Sequence, residues 1–159
     1  MWHGPHQFIV RASGGVWLGA GSAVSIGPGH FIDTSTGAHL TDGGAWTNAC
    51  DARLKDDFAP VDGAAVLEAL ARLPLASWRY KAEGPGIRHL GPTAQDFRAA
   101  FGLGADDRSI TTVDAAGVAL AAIQELERRT RQLEALAREI QELRGRLERP
   151  GPPREAAVR

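Results

Sequence analysis

The apolar positions change their period along this chain, and each change predicts a different kind of element. Up to Trp46 they come as short clusters at residues 8–10, 16–18, 23–26, 31–32 and 39–40, separated by Gly14-Gly15, Gly19, Gly27-Pro28-Gly29, Gly37 and Gly43-Gly44. Clusters about eight residues apart with glycine between them predict short strands joined by turns. So few residues cannot close a β core alone, and the open edges would pair with other copies of the chain.

From residue 63 the pattern alternates between helical and extended. The run 63–73 is rich in alanine and leucine and predicts a helix stopped by Pro74. Residues 76–80 predict a strand with Trp78 and Tyr80 on one face. Residues 93–101 predict a short helix with Thr93 or Pro92 near its start. Beyond a further short strand, Asp114 is the expected N-cap of a long helix. Over 118–148 the aliphatic residues Ile123, Leu126, Leu133, Leu136, Ile140, Leu143 and Leu147 fall mostly three and four apart, the seam of a coiled coil. Thr130 fills a polar gap in it, and the steps through Leu133, Leu136 and Ile140 shift the heptad frame. Four acid-before-base pairs at i,i+4, Glu125–Arg129, Glu127–Arg131, Glu134–Arg138 and Glu142–Arg146, are expected to mark the solvent face.

The expectation is an α+β chain: a β-rich fibre segment over 1–47, a small α+β core over 48–117, a coiled-coil helix over 118–149 and a disordered tail over 150–159. The seam runs farther than so small a domain could cover, which points to self-association.

Composition narrows the chemistry. A net charge of -1 leaves no basic face for nucleic acid or an anionic membrane. No apolar run reaches the ~18 residues of a bilayer span, and the start lacks the layout of a signal peptide, so a soluble chain or a fragment of a longer one is expected. His3, His6, His30 and His39 raise the question of a metal, but none has zinc-motif spacing to cysteine or carboxylate partners; no metal and no cofactor are expected. "GAGSAV" lacks the last small residue of a dinucleotide fingerprint and reads as a turn. Trp2, Trp17 and Trp46 would serve an adhesive fibre tip if exposed. Only one cysteine is present, Cys50, so no intramolecular disulfide can form. Lys55, one of two lysines, follows it by five residues.

The blocks "CDARLKDDFAPVDG", "LPLASWRYKAE", "IRHLGPTAQDF" and "TVDAAGVALAAIQELERR" closely resemble, in order, the endosialidase-type intramolecular chaperone domain of phage tail spikes and tail fibres. "FIVRASGGVWLGAG" is similar to the β-rich fibre segment that precedes the domain in bacterial members. The resemblance implies a homotrimer on a virion tail or a bacterial surface or prophage fibre, whose folding client is the fibre segment of its own chain. It also implies one self-inflicted cut at the domain's N-terminal border. The family's serine falls on Cys50 and its lysine on Lys55, with Asp51, Arg53 and Leu54 matching. A thiol needs less activation than a hydroxyl, and a lysine made neutral by burial could serve as base. The expected cut is Ala49-Cys50, because attack on the preceding carbonyl closes a five-membered ring. His89, Gln95 and Asp96 lie in the family's His-x-Gly-x-x-Ala-Gln block, either supporting the site or structural. The alternative function is a trimerisation module of a β-fibre that stays attached.

Overall fold

The computed structural model describes residues 13–19 and 26–148. The expected strand at 8–10, most of that at 23–26, Trp2, His3, His6 and the tail from 150 lie outside them. The chain divides into two compact units, at Ala59 and Pro60.

The first unit is a four-stranded mixed sheet, β1 (Val16–Leu18), β2 (His30–Thr34), β3 (His39–Thr41) and β4 (Trp46–Thr47), in that order. β1 runs parallel to β2, and the other neighbours are antiparallel. The two hairpins repeat one device at a seven-residue interval. Gly37 and Gly44 both sit at φ 83°, in the left-handed region that glycine enters without strain, and their N–H groups donate to Thr34 and Thr41. The threonine side chains seal the turns, Thr34 Oγ1 on the Ala38 carbonyl at 2.6 Å and the Ala45 N–H on Thr41 Oγ1 at 3.0 Å. No described residue of this unit is buried, and Trp46 and Phe31 are each 52% exposed. Among the described residues the sheet has formed its ladders without fully burying a side chain on either face.

The second unit is α+β: α1 (Gly63–Arg72), a two-stranded ladder of β5 (Ala76–Trp78) and β6 (His89–Gly91), α2 (Ala94–Phe101) and α3 (Thr112–Glu148). Asp62 caps α1 by accepting from the Ala64 and Ala65 N–H groups. Pro74 keeps the helix from continuing. Thr93 caps α2, its hydroxyl accepting from the Asp96 N–H at 3.1 Å and donating to the Asp96 carboxylate at 2.6 Å. Gly102, at φ 67°, ends it. The strand expected over 76–80 stops at Trp78, yet Tyr80 still reaches the Trp78 ring edge-on at 4.9 Å.

Leu73, Phe97 and Val118 form the core, with Val66, Leu70, Ala100, Phe101 and Ile110 packed around them. Phe97→Ala is expected to lower stability by about 3–5 kcal/mol, because a ring in so small a core cannot be replaced by collapse of its neighbours. Urea denaturation followed by helical circular dichroism measures it; a change within error would mean that Phe97 is not a core residue.

Two details of α3 correct the sequence expectation. The helix starts at Thr112, and the Thr111 hydroxyl, not Asp114, caps it by accepting from the Asp114 N–H at 3.0 Å. Glu125, expected on the solvent face, is only 5% exposed. It packs beneath the first turn of α1, where a Cβ on Gly63 would stand 3.2 Å from its own Cβ. The carboxylate is satisfied by Arg128 at 2.7 and 2.8 Å and by Arg129 at 2.7 Å. Glu127–Arg131 forms outside, on the surface.

Arg128, then Arg129, hold the Glu125 carboxyl down to about 2 from an ordinary 4.5. The unfolded chain therefore takes up this proton at higher pH than the folded one, and the pair's stabilisation, complete above pH 4.5, is lost as pH falls through about 2. Thermal midpoints of the parent and Glu125→Gln should accordingly converge as the solution is acidified across that window. A constant gap would show that the ionised form contributes nothing.

Candidate functional site

The segment after β4 carries the residues singled out in the sequence. Asp51 starts a single 3-10 turn over Ala52–Leu54: its carboxylate accepts from the Arg53 N–H at 2.9 Å, and the Leu54 and Lys55 N–H groups close on the Asp51 and Ala52 carbonyls. A turn this tight doubles the chain back within five residues. Its consequence is that Lys55 Nζ donates to Cys50 Sγ at 2.9 Å. The spacing of five is thus the spacing that one 3-10 turn brings together.

Asp51 does not face the pair. Its carboxylate takes Arg53 in a fork, Nη2 at 2.6 Å and Nε at 3.0 and 3.1 Å, and this bonding holds its pKa below the usual range. Asp51 and Arg53 shape the turn, and Lys55 and Cys50 are what the turn presents. Ala49, on the other side of Cys50, lies over the β2–β3 hairpin: a Cβ on Gly37 would stand 3.3 Å from that of Ala49. The missing side chain lets the segment lie close to the sheet.

Cys50 and Lys55 are both exposed. The burial expected to neutralise the lysine is not provided by the described residues.

The other expected supporting residues lie in the second unit. His89 belongs to an aromatic cluster on the β5–β6 ladder, stacked on its cross-strand partner Trp78 at 4.8 Å and edge-on to Tyr80 at 5.2 Å, with Nε2 2.8 Å from Glu83 Oε2. Those contacts fix the hairpin. Gln95 is exposed in the first turn of α2, and Asp96 beside it is engaged by the Thr93 cap.

His30 and His39, set aside as metal candidates for want of a partner at zinc-motif spacing, meet a carboxylate on the sheet. His30, Asp33 and His39 present nitrogen and oxygen atoms all within 4.8 Å of one another. Gly27 N–H donates to Asp33 at 2.7 Å and holds that carboxyl below its ordinary range. The spacing of these residues gave no warning, because they meet through strand pairing.

Along α3, Ile123, Leu126, Leu133, Leu136, Ile140, Leu143 and Leu147 are all exposed, none covered within the described residues. Before the stripe begins, an apolar groove of about 450 Å³ opens between the first turns of α3 and the ends of α1 and α2, walled by Val61, Val66, Phe101, Leu103, Val113 and Val118. Among the described residues no helix is long and apolar enough to cross a membrane.

Residues 50–102 match the family model described as chaperone of endosialidase, from Cys50 to the glycine that ends α2. No curated protein matches the chain.

Proposed function

From the premise that residues 50–102 are an endosialidase-type chaperone domain, we propose that this chain trimerises through α3, guides the β segment before it into a fibre, and cuts itself at Ala49-Cys50. The hydrogen bond from Lys55 Nζ to Cys50 Sγ carries the reading, because it lies along the path a proton takes between nucleophile and base. Lys55 accepts the thiol proton and Sγ attacks the Ala49 carbonyl carbon. The bond from that carbon to the Cys50 nitrogen breaks, and the nitrogen receives the proton back from Lys55 as it becomes a free amine. Water then hydrolyses the Ala49 thioester, leaving a carboxylate on Ala49 and a thiol on Cys50. Neighbouring attack of this kind benefits from high effective concentration, so one turnover needs little machinery.

The exposure of the dyad links the cut to assembly. A second and third copy packing against residues 50–55 would strip water from Lys55, and loss of water favours the neutral amine that the first step requires. The apolar side chains exposed on the described sheet, Leu18, Phe31 and Trp46, and the exposed stripe on α3 both call for such copies. The test is the intact mass of the purified chain under denaturing conditions: two fragments meeting at Ala49-Cys50 support the proposal, and a single full-length mass after prolonged incubation refutes the cut.

The seam does not depend on the dyad. A chain that keeps one mass but is trimeric would be the attached trimerisation module, the reading favoured by the presence of cysteine where the family has serine.

A further inference from the structure

We infer that His30, Asp33 and His39 form a binding site for a divalent transition ion of the zinc class. The three residues owe their meeting to a β-bulge. His30 pairs with Thr41 and Ile32 with Leu40, so β2 spends two steps where β3 spends one, and Phe31 is the extra residue. On a regular strand His30 and Asp33, three apart, would point to opposite faces. The bulge turns His30 onto the face of Asp33, whose register partner is His39.

The donors match a metal in kind and in spacing. Two imidazoles and one carboxylate are a common set for zinc, which bonds nitrogen and oxygen at about 2.0–2.2 Å and so places neighbouring donors roughly 3.3–3.5 Å apart. His30 Nδ1 and Asp33 Oδ1 are already 2.7 Å apart, and no donor of the three is more than 4.8 Å from another. Small side-chain rotations complete the site, with the ion replacing the His30–Asp33 hydrogen bond. The rings of His30 and His39 are stacked at 3.7 Å and 13°, which brings the two imidazoles to one place on the sheet, and one ring turns out of the stack for both to bind the same ion.

The outer partners that orient metal ligands are also in place. Asp33 Oδ2 accepts the Gly27 N–H at 2.7 Å, leaving Oδ1 for the ion. His39 Nδ1 lies 3.2 Å from the Gly37 carbonyl, which selects the tautomer with its lone pair on Nε2. Gly27 leaves room for the cluster, since a Cβ there would stand 2.6 Å from His30 Nδ1. The ion would clamp β2 to β3 directly behind the hairpin over which Ala49 lies.

The site is tested on the full chain, prepared without a histidine tag and carrying Cys50→Ala, His3→Ala and His6→Ala so that it stays intact and competing ligands are gone. Calorimetric titration with zinc chloride should give one zinc per chain. His39→Ala and Asp33→Asn should each weaken binding by about tenfold or more, while His89→Ala leaves it unchanged. Zinc should also raise the thermal midpoint of this parent but not of Asp33→Asn, which preserves the shape of the site should His39→Ala misfold. No binding, or equal affinity in the parent and Asp33→Asn, overturns the inference.

Discussion

The Cys50→Ala chain is expected to give one full-length mass where the unmodified chain gives two fragments, and Lys55→Ala is expected to slow the appearance of those fragments by about 10²–10⁴-fold. The two substitutions differ because the residues do different work. Without Cys50 there is no atom to attack the Ala49 carbonyl, and splitting stops. Without Lys55 the thiol remains and water must take its proton, so the reaction survives at the rate lost with a positioned base. Cys50→Ser restores the residue type of the related family and should keep some splitting in the presence of Lys55. Both alanine substitutions fall on exposed side chains and leave the α3 seam untouched, so the fold of the chain and its means of association should be retained. Splitting that persists undiminished in Cys50→Ala would remove the thiol from the mechanism and assign the cut to another group or to a contaminating protease.

A chain carrying Leu133→Asp and Ile140→Asp is expected to sediment as a monomer, and the parent is expected at three times 16.9 kDa. Both positions are exposed in the single copy, so neither contributes to the core around Phe97. In a trimer each would be buried, and burial of a leucine or isoleucine is worth about 1.5–3 kcal/mol. Losing two such residues from each of three chains removes on the order of 10 kcal/mol, before the cost of bringing like charges together is added. Sedimentation equilibrium in the Cys50→Ala background separates this effect from splitting. A parent that is monomeric at high concentration would sink the coiled-coil reading, and an aspartate variant that remains trimeric would move the interface away from the seam. Retained helical circular dichroism in the variant monomer would show that the unit folds before it assembles.

The two results are linked through exposure. If desolvation of Lys55 depends on neighbouring copies, the aspartate substitutions placed in the unmodified chain should also slow the cut, although they lie on a different element from the dyad. Independent rates would uncouple assembly from cleavage.

Much of this molecule is carried by local chemistry and was legible along the chain. Glycine at φ 83° in two repeated turns, the threonine cap before α2, Pro74 after α1 and the three-and-four spacing of α3 each act within a few residues. The contact between Cys50 and Lys55 is equally local, since one 3-10 turn brings them together, but it was the family resemblance and not their spacing that singled the pair out. What could not be read depends on residues brought together from afar. Glu125 looked like one of four surface acids until α1 packed over it, and its two arginines then became the condition for burying it. The cap of α3 is Thr111 and not Asp114, and Ile110 just before it packs against the core. His30, Asp33 and His39 carried no motif, since an extra residue in one strand, invisible in a one-dimensional spacing, decides which face each side chain takes. Local hydrogen bonds are specified by neighbours in sequence; burial and strand register are specified by whatever packs alongside, and only the folded chain supplies that.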